Sequence, residues 1–419
     1  MKMILRGGPL TGSVHVPPSK SQLHRLLLCA ALGDTPSEIY CGPLSLDVRA
    51  TAASLAALGA SIRETEDGRL FVIPGRPGPG LLQLPCGESG STLRFLLPVA
   101  AALGTQAAFS MAGRLPQRPL QPLAEQLTSH GVTLRQEGHM LICSGRLQPG
   151  ADYVLPGDVS SQFISGLLFA LPLLAGNSTL TISGATESLP YITMTESALQ
   201  LSGIVFEKEG QTYHIPGRQT YCPPASMKPE GDWSGAAFFL CSGALGGDGI
   251  TCTGLDQNSL QGDRAVTELL ERFGARVLCT EHSVTVCPGA LHAITVDAAP
   301  IPDLIPALCA VAALADGDTC IRNAARLRLK ESDRIRSLVQ LLHDLGGNAE
   351  ERANGLIIHG SSSLTGGTVN PCGDHRIAMA AAAAACGCRG TVTVKGAQCV
   401  DKSYPCFWRD RALLKGGSL

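Results

Sequence analysis

Lys20, Ser21 and Arg25 lie in the stretch VPPSKSQLHR, with two prolines ahead of them and the apolar run LLLCAAL behind. Charge on the first turns of an apolar helix is costly unless something meets it, because an unpaired buried ion loses its hydration. The same combination recurs along the chain. ESGSTLR carries Arg94, GDHRIAMA carries Arg376, AGRLPQRPL carries Arg114 and Arg118, and ARLRLKESDRIRS carries Lys330, Glu331, Asp333 and Arg334. CVDKSYPCF adds Lys402 in a polar break. Helix N-termini carry partial positive charge and free N–H groups, so cations placed there suit phosphate and carboxylate ligands.

Two carboxylates stand among these cations. Lys330 and Arg334 are four apart and would share a face if helical, with Glu331 beside them. That reads either as a solvated helix start or as an anion clamp with an acid/base. Asp303 follows Ile301-Pro302 and precedes the apolar LIPALCAVAALA. It is either an N-cap or a carboxylate that stays ionised among cations and takes a proton from a hydroxyl.

The bulk charge does not provide this anion affinity. The net charge is −2, with 16% charged and 4% aromatic residues. No field favours nucleic acid or an anionic membrane, and any anion site must be local. MKMILRGGPL has no apolar h-region, so no signal peptide is expected, and no apolar run is long enough for a membrane span. Sixteen cysteines contain no Cys-x-x-Cys pair, and Cys386-Gly-Cys388 is too close for a usual zinc pair. Free thiols in a reducing cytoplasm are expected.

The elements that position these residues repeat. ALGASI, SHGVTL, LSGIVF, RFGARV, DLGGNA and LLKGG place glycines at 59, 131, 203, 274, 346 and 416, in steps of 72, 72, 71, 72 and 70. Each glycine can close a helix in the left-handed conformation. A second comb, from LGDTPSEIY to CRGTVTV, marks the end of another helix and the strand after it. A third marks helix starts near Lys20, Gly90, Ser160, Asp232, Asp303 and Asp374, in steps of 70, 70, 72, 71 and 71. Regular spacing implies copies of one supersecondary unit, here six units of two helices and several short strands.

Six units are too many for one small core, so two groups of three are expected. Crossovers would fall at Pro17-Pro18 and in the polar stretch SMKPEGDWS, which resembles a linker. The fold class is therefore α+β with two similar lobes: residues 1–18 plus 231–419, and 19–230, with a double hinge near 17–20 and 224–234. The N-terminal strand MKMILRG would complete the sixth unit and bring both termini into one lobe.

Taken together, PPSKSQLHR, GESGSTLR, the Arg118-Pro119 pair, VSSQF, SLPY at 188–191, EGDWS, IPD, LKESDR and GDHRIAMA resemble the 5-enolpyruvylshikimate-3-phosphate synthase (EPSP synthase) family. They run in the family's order over essentially the whole chain. The resemblance implies a fold of two lobes with the active site in the cleft. It also implies transfer of the enolpyruvyl group of phosphoenolpyruvate to the 5-hydroxyl of shikimate 3-phosphate, with loss of phosphate and with no metal or organic cofactor. A cytoplasmic monomer acting on these two small molecules, without nucleic acid or membrane, is expected.

On that resemblance, Ser21, Arg25, Ser160, Ser161, Gln162, Ser188 and Tyr191 correspond to contacts of shikimate 3-phosphate, with Ser160, Ser161 and Ser188 at its phosphate. Gly90, Arg118, Gln162, Lys330, Arg334, Arg376 and Lys402 correspond to the phosphoenolpyruvate set, and Lys330 and Asp303 also reach shikimate 3-phosphate. Lys20 would touch both substrates as an acid/base. Asp303 resembles the acceptor of the hydroxyl proton, and Glu331 its partner in proton traffic at the methylene carbon. The chain departs from the family's common pattern at Glu88, often Asn, and at Ser91, often Thr, which leaves sensitivity to glyphosate open. Arg326 replaces an Asn contact of some members.

UDP-N-acetylglucosamine enolpyruvyl transferase is the nearest alternative. It uses a loop cysteine and a Lys-Asn first motif, whereas the loop after Met111 here has no cysteine before Cys143. A non-catalytic protein that only binds anionic metabolites would lack proton carriers, and Lys20, Asp303 and Glu331 are present. An RNA-end-processing relative of similar fold would want a basic groove.

Overall fold

The computed structural model describes residues 1–416. The chain divides into two compact units, Met1–Ser19 with Glu230–Leu419, and Lys20–Pro229. Each has its own core of buried apolar residues.

Six largely buried helices lie inside these cores. In the unit Lys20–Pro229 they are Lys20–Ala31, Gly90–Leu103 and Ser161–Ala170. In the other they are Trp233–Ala244, Ile305–Ala312 and His375–Ala384. The third comb predicts these starts to within two residues. The largest offset is at Asp303, where the helix begins at Ile305 with Leu304 as N-cap. A second helix in each repeat is one-sided. Arg334–Asp344, for example, buries Ile335, Leu338, Leu341 and Leu342 at helical spacing. The glycine comb behaves as its spacing implies: Gly59, Gly131, Gly203, Gly274, Gly346 and Gly416 all have φ between 75° and 107°.

The strands repeat in the same way. In Lys20–Pro229, three four-stranded sheets share one pattern, a parallel pair followed by two antiparallel strands. One sheet orders Leu82–Gly87, Ala107–Met111, Met140–Gly145 and Val132–Glu137. The buried helix Gly90–Leu103 is the crossover between the two parallel strands, which cannot be joined by a tight turn. In the other unit, Thr11–His15 runs parallel to Gly249–Thr253, and Thr295–Asp297 runs parallel to Asp318–Arg322. Its last sheet has three strands: Gly367–Val369 lies parallel to Val392–Lys395, which pairs antiparallel with Lys2–Leu5. The strand nearest the N-terminus is thus part of the sixth repeat.

The stretch that reads as a linker is not wholly irregular. Ser226–Met227 pairs in parallel with Glu38 and Ile39, because that sheet leaves a strand edge whose N–H and C=O groups need partners. Close helix packing depends on one glycine. A Cβ at Gly166 would lie 2.2 Å from the carbonyl oxygen of Arg94, so Gly90–Leu103 and Ser161–Ala170 meet backbone to backbone.

Candidate active site

Within Lys20–Pro229, helix starts gather the predicted residues into two groups. At the first, Ser89 caps Gly90–Leu103 by accepting from the Thr92 N–H. Gly90 leaves room that two guanidinium groups occupy: a Cβ there would be 2.8 Å from Nη1 of Arg94 and 2.9 Å from Nη1 of Arg118. Arg94 donates to Gln162 Oε1 at 2.7 Å and to the Pro119 carbonyl at 3.3 Å, and it lies over the Phe163 ring at 5.4 Å. Gln162 Nε2 donates to the Ser91 hydroxyl at 2.9 Å. Gly90, Ser91, Arg94, Arg118 and Gln162 therefore form one connected cluster. The Glu88 side chain packs over Gly113, where an added Cβ would meet Glu88 Oε1 at 2.5 Å.

Ser160 caps Ser161–Ala170 without a side-chain cap bond, and Ser161 is buried at its first turn. Ser188 is buried with φ 54°, a left-handed conformation that costs a serine free energy, and it caps Leu189–Leu201. Arg25 is fastened to that helix. Its Nε donates to Thr195 Oγ1 at 2.8 Å, Nη2 to the Tyr191 carbonyl at 2.7 Å and Nη1 to the Ser21 carbonyl at 2.6 Å. Burial lowers the Arg25 guanidinium to about 10, still charged at neutral pH. Lys20 pairs with Asp47 Oδ2 at 2.8 Å. Asp47 is buried in the first turn of Leu46–Ala57.

The second unit holds the densest charge cluster. Lys330 and Glu331 do not lie on a helix with Arg334: the helix starts at Arg334, with Asp333 capping it through the Arg336 N–H. Asp333 caps the helix, so Lys330 and Glu331 reach the cluster from the bend just ahead of it. Arg334 is 1% exposed and is the hub. It donates to Asp374 Oδ2 at 2.8 Å, to Asp303 Oδ1 at 2.7 Å and to Glu331 Oε2 at 2.8 Å. Arg376 Nη2 lies 3.2 Å from Asp303 Oδ2, and its Nη1 donates to the Asp303 carbonyl at 3.0 Å. Lys330 Nζ lies 3.7 Å from Asp303 Oδ1. Lys402 is buried at the end of the turn Ala397–Lys402.

The charges tune one another. Burial alone would raise the Asp303 carboxyl, but Arg376, Lys330 and Arg334 outweigh it and hold Asp303 well below the usual carboxylate range. Burial drops the Lys330 ammonium to about 8, with Asp303 pulling the other way. Burial would lower Arg334, and Asp374, Glu331 and Asp303 raise it, so it stays charged. An ionised carboxylate held by three cations can accept a proton as negative charge arrives on a nearby ligand and draws those cations off.

The structure thus brings together Gly90, Arg118 and Gln162 in one unit, and Asp303, Lys330, Glu331, Arg334 and Arg376 in the other. Ser21, Arg25, Ser188 and Tyr191 share the ends of Lys20–Ala31 and Leu189–Leu201. Sequence reasoning missed Asp47, the partner of Lys20, and treated Asp374 only as a helix start. Asp47 carries no signal beyond an acidic first turn. Asp374 is capping the Arg376 N–H at 2.9 Å while also pairing with Arg334 and accepting from Ser332 at 3.0 Å, and only burial at 0% exposure reveals that second task.

Comparison with known proteins gives the family. A family model for EPSP synthase (3-phosphoshikimate 1-carboxyvinyltransferase) matches residues 4–410. A 3-phosphoshikimate 1-carboxyvinyltransferase of Clostridium kluyveri is 41% identical over 417 residues, covering 97% of this chain and 96% of that one. One from Clostridium acetobutylicum is 40% identical over 414 residues, with the same coverage of both chains. The solved structure of EPSP synthase from Acinetobacter baumannii superposes with a TM-score of 0.79 at 26% identity, covering 98% of this chain and 97% of that one. With a family match across nearly its whole length and relatives at about two-fifths identity, the chain belongs to the EPSP synthase family.

Proposed function

We propose that this protein transfers the enolpyruvyl group of phosphoenolpyruvate to the 5-hydroxyl of shikimate 3-phosphate, giving 5-enolpyruvylshikimate 3-phosphate and phosphate. The observation that carries the reading is the Asp303 carboxylate ringed by Arg334, Arg376 and Lys330 in a chain of this family. In the addition, the hydroxyl oxygen bonds to C2 of phosphoenolpyruvate, its proton passes to Asp303, and the methylene carbon gains a proton. In the elimination, the methyl carbon returns a proton and the bond from C2 to the phosphate oxygen breaks. Lys20 and Glu331 carry the protons at that carbon.

Two anions must be held side by side for this, which needs several cations and N–H donors. Ser160, Ser161 and Ser188 hold the phosphate of shikimate 3-phosphate, with Ser21, Arg25, Gln162 and Tyr191 on the rest of it. Gly90, Arg118, Gln162, Lys330, Arg334, Arg376 and Lys402 hold phosphoenolpyruvate. The crossovers near 17–20 and 224–234 act as a double hinge, so that small-angle scattering should record compaction when shikimate 3-phosphate is added. The protein works as a cytoplasmic monomer. No helix among the described residues is long and apolar enough to cross a membrane.

The test is phosphate release by purified protein. It should require shikimate 3-phosphate and phosphoenolpyruvate together. Release with UDP-N-acetylglucosamine in place of shikimate 3-phosphate overturns the reading.

A further inference from the structure

Two rungs join the helices Lys20–Ala31 and Leu46–Ala57. The first is the ion pair of Lys20 with Asp47 at 2.8 Å. One turn further along both helices, His24 Nδ1 lies 2.8 Å from Thr51 Oγ1. The second rung continues into a third helix. Thr51 Oγ1 lies 2.6 Å from Thr92 Oγ1 in Gly90–Leu103. Thr92 Oγ1 donates to Ser89 Oγ at 2.7 Å, with the Asp47 carbonyl at 3.4 Å as a further acceptor. Ser89 Oγ also accepts from the Thr92 N–H at 3.2 Å. His24, Thr51, Thr92 and Ser89 are all buried, so these groups must satisfy one another away from water.

The chain of bonds has one consistent direction. A hydroxyl has a single proton to give. Thr92 gives its proton to Ser89, so from Thr51 it can only accept. Thr51 therefore gives its proton to Thr92 and accepts from His24. His24 Nδ1 must then be a protonated ring nitrogen. The order His24, Thr51, Thr92, Ser89 ends on the cap of Gly90–Leu103. The first residue of that helix, Gly90, leaves the room that Arg94 and Arg118 occupy. Each bond in such a chain polarises the next, so the donor at one end bears on the acceptor at the other.

We propose that His24 is a positioning residue for phosphoenolpyruvate: by donating from Nδ1 it orders the hydroxyls of Thr51 and Thr92, and so fixes the Ser89 cap and the Gly90 turn against which Arg118 is seated. Without that donor, Thr51 is free to turn its proton away from Thr92. Thr92 can then turn its own proton to the Asp47 carbonyl, which loosens the cap. Shikimate 3-phosphate is held by other side chains, so the loss falls on one substrate. The inference rests on the reading of Gly90 and Arg118 as phosphoenolpyruvate contacts.

The test joins NMR of ring-labelled histidine to steady-state kinetics. The spectrum of the wild-type protein should show His24 protonated on Nδ1, and a neutral ring protonated on Nε2 overturns the proposal. His24→Leu should raise the KM for phosphoenolpyruvate about tenfold and leave that for shikimate 3-phosphate within about twofold. His24→Asn, whose amide nitrogen reaches the place of Nδ1, should restore the wild-type value. His24→Gln, whose amide reaches only the place of Nε2, should not. Equal rises in both KM values, or rescue by His24→Gln and not by His24→Asn, overturn the proposal. If His24→Leu does not fold, Thr51→Val serves: it breaks the chain with His24 intact and should give the same rise, and an unchanged KM overturns the proposal. Gly90→Ala is run alongside. An unchanged KM for phosphoenolpyruvate in that variant overturns the reading of Gly90 itself, whereas a raised KM there with an unmoved His24→Leu overturns only the role of His24.

Discussion

At the scale of single residues, the site works by charges that hold one another away from their ordinary ionisation. With Asp303 proposed as the proton acceptor, Asp303→Ala should lower kcat by about 10²- to 10⁴-fold, the range of general-base catalysis, while the KM values change far less. Steady-state phosphate release measures both, and an unchanged kcat removes Asp303 from the mechanism. Lys330 gives a pH signature. Burial drops its ammonium to about 8, so the cation is present below that value and lost as pH rises through it. The KM for phosphoenolpyruvate should therefore rise above about pH 8 and be flat between 6 and 7, and Lys330→Arg, which stays charged, should abolish the rise. The types of these residues were legible in the sequence. The pairings were not, because Asp374 looks like an ordinary N-cap and Asp47 like an ordinary first-turn acid until their burial is known.

At the scale of elements, glycines at two helix positions should behave in opposite ways. A Cβ at Gly166 would lie 2.2 Å from a backbone carbonyl, which cannot move without separating Gly90–Leu103 from Ser161–Ala170. Gly166→Ala should cost about 1–3 kcal/mol or more and lower Tm. A Cβ at Gly90 would meet only the tips of Arg94 and Arg118, which can swing aside. Gly90→Ala should leave Tm nearly unchanged and raise the KM for phosphoenolpyruvate by displacing Arg118. Arg334 ties Arg334–Asp344 to the starts of two buried helices. Removing it leaves Asp374 buried without its cation, so Arg334→Met should cost about 3–5 kcal/mol near pH 7. Asp303 and Asp374 ionise below their unfolded range when folded, so that stabilisation is present above about pH 4 and lost as pH falls. The stability gap between wild type and variant, read by thermal unfolding, should narrow on acidification. The repeat and its helix starts came from spacing alone. The placement of Lys330 and Glu331 ahead of their helix did not, since Asp333 is as good an N-cap as the positions before it and only the tertiary partners of Arg334 decide the matter.

At the scale of the whole molecule, the 16 cysteines offer a check on both cores. All are free thiols. Cys222, Cys279 and Cys372 are exposed, while nine others, Cys29 and Cys241 among them, are buried. A thiol reagent should label three sites quickly in the native protein and the nine buried ones only on denaturation, since burial both blocks access and disfavours the reactive thiolate, that of Cys241 included. The sequence by itself determined the repeat, the six helix starts, the cations beside them and the resemblance to the family. These are local or periodic properties: a glycine that must turn left, an apolar run that must be buried, a cap that must accept an N–H. The tertiary structure alone decided which charges meet. Arg334 finds Asp374 forty residues away, and Lys20 finds Asp47. Such pairings follow from packing helices from different repeats together. The energy of a buried charge depends on those neighbours in space rather than on its neighbours along the chain. The opening residues show the division. VPPSKSQLHR shows cations at the start of a buried helix, but that Arg25 would be fastened to Leu189–Leu201 and Lys20 to Asp47 was settled only by the fold.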